Sequence, residues 1–171
     1  MRVVDSPNHD ARPPGTEIIL AVIHSISLPP GEFGGDAIER LFTNRLDPSA
    51  HPYFREIAHL RVSSHFLIRR DGELVRFVPL ERRAWHAGLS SWRGRSRCND
   101  FSVGIELEGA DEVPFEDAQY SALHELILRL RGVLPLVQIA AHSDIAPGRK
   151  TDPGSRFDWR RFLLDLGTSV L

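Results

Sequence analysis

The strongest local feature of this 171-residue sequence is a predicted β-hairpin over residues 64–80. Two strand-forming runs, SHFLIRR and ELVRFVPL, flank Asp71-Gly72, a pair that favours a tight turn between antiparallel strands. Because side chains alternate along a strand, His65 shares one face with Leu67. The fold must therefore contain a sheet with at least one antiparallel pair, and the first strand of that pair carries a histidine.

Three further apolar runs are typical of buried strands, and helix-forming stretches alternate with them. The strand runs lie at 17–24, 101–108 and 137–141. Apolar spacing and N-cap residues predict helices at 36–43, 115–132 and 157–166, with a short one at 51–57. This order predicts one α/β domain over residues 1–171, in which the hairpin makes the central sheet mixed and residues 1–16 form an extended lead-in.

Composition and charge exclude several classes of protein. The formal net charge of −2 gives no broad attraction to nucleic acid or to an anionic membrane. The longest apolar run, at 18–23, is too short to span a bilayer, and the N-terminal residues lack the apolar core of a signal peptide. The single cysteine, Cys98, excludes an intrachain disulfide and fits a reducing compartment. A cytoplasmic enzyme or binding domain without nucleic-acid or membrane partners is expected.

The segment HSDIAPGRKTDPG at 142–154 carries the densest group of chemically active side chains. Its proline and glycine residues predict an irregular loop rather than a helix. His142 and Asp152 offer an imidazole nitrogen and a carboxylate oxygen, both of which bind Zn²⁺, and Lys150 lies two residues before Asp152. A third ligand must come from elsewhere. His24 is a candidate because it ends a buried strand, where α/β proteins tend to place ligands.

Spacing alone leaves this ligand set open. Two histidines and one carboxylate form a known hydrolytic zinc arrangement that keeps a fourth position for water. However, no local motif such as HExxH connects His24 with the 142–154 segment. The chain has eight histidines, so other triplets are possible, including sets that use His65 or His86.

Acidic and aromatic residues add further candidates. Glu106 and Glu108 share one face of the strand at 101–108, where a carboxylate is costly unless it is paired. Glu108 is predicted to lie on a solvated outer face, and Glu106 by itself fits either a solvated face or a site role. The long segment 84–100 is rich in tryptophan and arginine, and it is predicted to be a binding loop.

Four segments, in this order, resemble the cytoplasmic 1,6-anhydro-N-acetylmuramoyl-L-alanine amidases, the AmpD proteins of peptidoglycan recycling. WHAG, RCNDFSVGIELEG and DIAPGRKTDPG are its most specific motifs, and the resemblance extends from SPN at 6–8 to about residue 160. The four segments are HSISLPPGEFGG (24–35), VSSHFLIRRDGELVRFVP (62–79), RAWHAGLSSWRGRSRCNDFSVGIELEG (83–109) and AHSDIAPGRKTDPG (141–154).

The resemblance implies a fold, a substrate and a set of site residues. The fold is a central mixed β-sheet flanked by helices, shared with phage lysozyme-type amidases and peptidoglycan recognition proteins. The implied enzyme uses one Zn²⁺ ion to cleave an anhydro-muropeptide between the muramic acid and L-alanine. Separately from the resemblance, a monomer is expected. The implied zinc ligands are His24, His142 and Asp152, the catalytic residues are Glu106 and Lys150, and the substrate-binding residues are Tyr53, Arg61, His86 and Arg97.

Two departures from the family pattern and three alternatives accompany this interpretation. Ser25 stands where asparagine is expected, which affects one substrate hydrogen bond, and Asp5 stands where a cysteine often precedes SPN. A non-catalytic muropeptide-recognition module would typically lack one ligand, yet the full set is present. An amidase acting on intact cell wall would be expected to carry a signal sequence. A metallophosphodiesterase would need more carboxylate ligands and usually two metal ions.

Overall fold

The computed structural model describes residues 1–136 and 138–167, and within them the central element is a six-stranded sheet. Val137, the first residue of the predicted strand 137–141, lies outside the described residues. The strands are β1 (Arg2–Val3), β2 (His9–Ala11), β3 (Leu20–Ile26), β4 (Phe66–Ile68), β5 (Leu74–Arg76), β6 (Arg82–Ala84), β7 (Ser91–Trp92), β8 (Arg95–Ser96), β9 (Ser102–Glu108) and β10 (Gln138–Ala141).

The sheet is mixed, as the hairpin predicted. Its strand order is β1-β5-β4-β9-β3-β10. The four strands β4, β9, β3 and β10 run parallel, and β5 is antiparallel to β4. Two small two-stranded sheets, β2 with β6 and β7 with β8, lie beside it. The lead-in is extended and contributes β1 to the sheet edge through pairing with β5.

The hairpin turn differs by one residue from the predicted turn. The N–H of Gly72 donates to the carbonyl of Arg69, and the N–H of Arg69 donates to the carbonyl of Glu73, both at 2.9 Å. The chain therefore reverses over Arg70 and Asp71. Gly72 follows with φ of 86°, in the left-handed region that glycine adopts without strain. This is a three-residue loop of the bulged type, not a two-residue turn centred on Asp71-Gly72.

The helices agree with the predicted ones except at the start of the 142–154 segment. They are α1 (Ala37–Phe42), α2 (Pro52–Ile57), α3 (Asp117–Arg131), α4 (His142–Ile145) and α5 (Trp159–Asp165), with a 3-10 helix at Cys98–Asp100. Predicting only a loop from residue 142 was wrong, because α4 forms one helical turn there. The Asp144 carboxylate accepts the Ala141 N–H at 2.8 Å and stabilises that turn before Pro147 and Gly148 end it. No helix in the described part of the chain is long and apolar enough to cross a membrane.

The two faces of the sheet are covered differently. Helices α3 and α5 cover one face completely, where the buried side chains include Ile23, Val103, Ile105, Leu107, Leu123, Ile127 and Phe162. Two separate apolar clusters cover the opposite face. One lies under α1 and α2 and includes Phe42, Phe54, Leu67 and Phe77, and the other includes Val22, Ala87, Cys98 and Phe101. Polar side chains of β3 and β9 lie on this opposite face, and the site is built from them.

Candidate metal centre and active site

Strand register places three polar positions in one row across the sheet. His24 of β3 is paired with Glu106 of β9, and Ile23 is paired with Ala141 of β10. His142 directly follows Ala141, so it continues the row on the other side of His24. The chain then leaves the sheet and returns, because the N–H of Ser143 donates to the carbonyl of Asp152 at 3.1 Å. Parallel strands thus bring together residues that are far apart in sequence, at the carboxyl-terminal half of the sheet.

Three ligand atoms converge at the end of this row. The Nδ1 atoms of His24 and His142 are 2.9 Å apart, and each lies 3.0 Å from Oδ2 of Asp152. Hydrogen bonds cannot satisfy this triangle, because any placement of imidazole protons leaves at least one contact between two lone pairs or two hydrogens. Ligands of one tetrahedral zinc ion are about 3.3 Å apart. The three residues therefore form a group that can hold a metal ion.

The protonation states of these residues suit a metal. Burial lowers the pKa of His24 to about 4, which keeps its imidazole neutral. Burial alone would raise the pKa of Asp152, but its contacts with His142 and His24 hold that pKa well below its usual range. A neutral imidazole and an ionised carboxylate are the forms that coordinate a cation.

Glu106 is the unsatisfied group of the site. Its side chain is buried, and its Oε2 atom has no hydrogen-bond partner within the described part of the chain. Burial raises the pKa of the carboxyl well above its usual value, the nearby Asp152 raises it further, and Lys150 opposes the shift. A buried carboxyl that is perturbed and lacks a partner is typical of a functional group rather than a structural one.

A cavity of about 600 Å³ opens over these residues, a size suited to a small organic ligand. Lys150 is exposed and contributes to the lining, as do Tyr53, Ser25 and Trp85. The remaining lining includes His24, Ile26, Leu28, Leu41, Ile57, Val62, His86, Glu106, Ala110, Asp111, His142 and Asp152.

Two predicted substrate-binding residues lie outside this lining. The Arg61 guanidinium is bound to carbonyls of its own turn, including those of His59 and Leu60 at 3.2 Å. Arg97 is exposed and forms an ion pair with Asp100 at 3.2 Å. The structure therefore does not bring either arginine to the cavity, and their role in binding substrate stays a prediction.

The predicted long loop at 84–100 is more ordered than expected. It contains the β7–β8 hairpin and the 3-10 helix. Its two tryptophans differ, since Trp85 lines the cavity whereas the Trp92 indole donates to Gln138. The predicted solvated position of Glu108 is wrong, because Glu108 is buried and Arg69 is its ionic partner.

Sequence reasoning missed the residues that support His86. The side chain of Asn99 accepts the N–H groups of His86 and Ala87 at 3.2 and 2.8 Å. Gly104 leaves room for the His86 ring, because a Cβ atom at that position would lie 2.4 Å from Cγ of His86. A glycine inside an apolar strand is the signal that could have revealed this close approach.

Comparison with known proteins places the chain in a family. A family model described as N-acetylmuramoyl-L-alanine amidase matches residues 14–155, and the chain belongs to this family. Within it, the chain is 58% identical over 170 residues to 1,6-anhydro-N-acetylmuramyl-L-alanine amidase AmpD from Enterobacter cloacae, covering 98% of this chain and 91% of that protein. The resemblance inferred from the four sequence segments is confirmed.

Solved structures agree with this placement. The crystal structure of a selenomethionine AmpD derivative matches with a TM-score of 0.94 at 56% identity, covering 96% of this chain and 93% of that one. The amidase AmiD from E. coli, in complex with the substrate anhydro-N-acetylmuramic acid-L-Ala-D-gamma-Glu-L-Lys, matches with a TM-score of 0.65 at 30% identity. That match covers 93% of this chain and 62% of AmiD.

Proposed function

We propose that this chain hydrolyses the amide between 1,6-anhydro-N-acetylmuramic acid and the L-alanine of its stem peptide, in peptidoglycan recycling. The identity to AmpD over nearly the whole chain supports this reaction and the specificity for an anhydro-muropeptide. The observation that carries the proposal is the triangle of ligand atoms beside Glu106, whose Oε2 atom has no hydrogen-bond partner in residues 1–136 and 138–167. Residues 1–171 then form one zinc amidase domain.

In this proposal His24, His142 and Asp152 hold one Zn²⁺ ion. When bound, zinc supplies a Lewis acid that polarises the amide carbonyl and lowers the pKa of water. The donor set supports zinc because two imidazole nitrogens and one carboxylate oxygen leave a fourth position for a small ligand.

Glu106 is the proposed proton carrier. Glu106 lies in the cavity lining, and burial raises the pKa of its carboxyl, which makes it a stronger proton acceptor than an exposed carboxylate. Glu106 accepts a proton from the attacking water and delivers it to the departing alanine nitrogen. Lys150 stabilises the negative charge that develops on the carbonyl oxygen, because this residue lines the same cavity and, within the described residues, its ammonium forms no ion pair.

Binding of the substrate is assigned to the cavity walls. Tyr53 and His86 line the cavity and are the proposed contacts with substrate. Arg61 and Arg97 are kept as candidate partners for stem-peptide carboxylates, which guanidinium groups bind in bidentate geometry. Ser25 lines the cavity where asparagine was expected, so any hydrogen bond from this position reaches a shorter distance.

The test is metal analysis combined with turnover of two substrates. One zinc ion per chain is expected, with turnover of anhydro-muropeptide far above turnover of intact sacculi. A protein that binds muropeptide but holds no zinc and cleaves nothing would be a recognition module. Equal turnover of sacculi would instead indicate an amidase of the intact cell wall. The cytoplasmic location and the monomeric state stay predictions.

A further inference from the structure

The two histidines of the metal group have distinct partners behind them, and both partners come from one segment. Nε2 of His24 lies 2.9 Å from Nδ1 of His86. Nε2 of His142 lies 3.3 Å from the carbonyl oxygen of Ala87. Residues 86–87 thus contact the Nε2 atom of each histidine, whereas both Nδ1 atoms lie 3.0 Å from the Asp152 carboxylate.

The partner of His142 fixes one tautomer directly. A carbonyl oxygen only accepts hydrogen bonds, so Nε2 of His142 must carry the hydrogen. Its Nδ1 atom is then a free lone pair. The carbonyl of Ala87 is itself held in place, because the guanidinium of Arg149 donates to it at 2.7 Å.

The partner of His24 is another imidazole, that of His86. The next contact, between His86 and Ser102, determines which nitrogen of His86 carries the hydrogen. The hydroxyl of Ser102 donates to the carbonyl of Cys98 at 2.6 Å, so its oxygen can only accept from Nε2 of His86, 3.1 Å away. His86 therefore carries its hydrogen on Nε2. Its Nδ1 lone pair then accepts the hydrogen of Nε2 of His24, which leaves Nδ1 of His24 free.

The ring of His86 is packed among other imidazoles and against β9. Its ring centroid lies 5.0 Å from that of His24 and 5.9 Å from that of His65, and no carboxylate contacts it among the described residues. Gly104 lets the ring lie against β9, and Asn99 holds its backbone. The position and the tautomer of His86 are both determined by the fold.

We infer that His86 is a positioning residue of the metal centre. In a relay of three contacts, the Cys98 carbonyl orients the Ser102 hydroxyl, Ser102 orients His86, and His86 holds His24 as the tautomer that coordinates through Nδ1. This inference rests on the proposed metal site and assigns His86 a role in addition to its proposed contact with substrate. Mutation of a residue that hydrogen-bonds to a metal-binding histidine typically lowers the metal affinity by about 10–100-fold.

The test compares zinc affinity and histidine tautomers in matched variants. His86→Phe removes the acceptor and is expected to weaken zinc binding, measured by competition with a chelator, by about 10–100-fold. His86→Asn keeps an acceptor oxygen near the Nδ1 position and should restore most of the affinity. His124→Phe is the control, because that imidazole contacts the Asp165 carbonyl outside the cavity.

Ring ¹⁵N NMR of the metal-free protein gives the readout that a merely structural role would not move. In the wild type, His24 should be protonated at Nε2 alone, and in Ser102→Ala or His86→Phe it should become a mixture of tautomers. A wild-type His24 protonated at Nδ1 overturns the inference, as does a folded His86→Phe with unchanged zinc affinity. If His86→Phe does not fold, the wild-type and Ser102→Ala spectra decide.

The same measurements separate this inference from the proposed function. A wild-type protein that binds no zinc would refute the proposed metal centre, whereas the tautomer of His24 would still be read from its spectrum. Normal zinc binding with the wrong tautomer would refute the relay alone.

Discussion

Glu106 and Glu108 lie on the same face of β9 and are both buried, but they differ in their hydrogen-bond partners. Glu106 is 8% exposed and Glu108 is 2% exposed, and only one residue separates them. Glu108 accepts hydrogen bonds from the N–H of Gly34 at 2.7 Å, from Arg69 at 3.1 Å and from the N–H of Arg70 at 3.3 Å. Among the described residues, one oxygen of Glu106 has no hydrogen-bond partner. Burial therefore does not distinguish a structural carboxylate from a chemical one, whereas the number of partners does.

The charges around the two carboxylates explain the difference. Arg69 binds both Glu108 and Glu39, and Glu39 also pairs with Arg2 at 2.6 Å, so charges alternate in sign through the network. The charges that act on Glu106 are Asp152, of the same sign, and Lys150, with which Glu106 forms no ion pair among the described residues. Removing an ionised group from water costs several kcal/mol unless partners compensate. The protein compensates Glu108 itself, and the site leaves Glu106 available for reactants.

The largest expected effect comes from Glu106→Gln. Removing a general acid and base should lower kcat on anhydro-muropeptide by about 10²–10⁴-fold. The free energy of unfolding, measured with urea, should stay equal or rise, because an uncompensated buried carboxylate is removed. Zinc content should not change. Near-normal turnover would show that the unsatisfied oxygen of Glu106 does not serve the chemistry.

The reverse pattern is expected for Arg69→Met. This change leaves Glu108 buried without its ionic partner, which should cost about 3–5 kcal/mol of stability in urea unfolding. The kcat of the folded protein should change little. Adding Glu108→Gln to Arg69→Met should recover part of the loss, since the uncompensated charge is then removed. A loss of kcat at unchanged stability would mean that the two carboxylates are not functionally separate.

Sequence patterns predicted the strands and most helices because those signals are local. The alternating and apolar runs identified the sheet, and Asp71-Gly72 identified the hairpin although its turn is centred one residue earlier. Glu106 and Glu108 lie two positions apart in the same strand pattern, so local sequence could not distinguish them. The partners of Glu108 come from the 28–35 and 69–70 segments, which only the folded chain brings together.

The candidate site was predicted mainly through resemblance to a family and not through spacing. His24 and Asp152 are separated by 128 positions. Parallel pairing of β3 with β10 leads to His142 beside His24, and the hydrogen bond from the Ser143 N–H to the Asp152 carbonyl brings the 142–154 segment back to them. The support behind His86 depends on Ser102, which no local pattern marks as functional, and on Gly104, whose place inside an apolar strand is a local signal for a close approach. The expectations for Glu108 and for the first turn of the 142–154 segment were wrong for one reason. Side-chain hydrogen bonds, from Arg69 to Glu108 and from the Ala141 N–H to Asp144, stabilise the observed structure at both places.

A third prediction concerns Lys150, the cationic residue proposed to stabilise the oxyanion. It is the only lysine among 21 lysine and arginine residues, so the chain uses a compact ammonium at just this position. Lys150→Ala should lower kcat by about 10²–10³-fold with zinc retained, as for loss of an oxyanion donor. Lys150→Arg should restore little, because a planar guanidinium does not replace a point charge. Full rescue by arginine would indicate that only net charge matters. An amine-selective reagent, which modifies only Lys150 and the N-terminus, should inactivate the wild type.

The smallest effect is expected at the outer edge of the Glu108 network, from Glu39→Gln. The hydrogen bonds from Arg2, followed by those from Arg69, lower the pKa of Glu39 from 4.5 to about 2 against the opposing effect of burial. Because the folded state lowers this pKa, the stabilisation is complete above pH 4.5 and disappears as the pH falls towards 2. Arg2 is largely exposed, so the difference between wild type and Glu39→Gln should be no more than about 1 kcal/mol at pH 7. Urea unfolding of both proteins at pH 7, 4 and 2 should show this gap closing with acid. A gap that stays constant would mean that Glu39 contributes through packing, and that the charge network around Glu108 ends at Arg69.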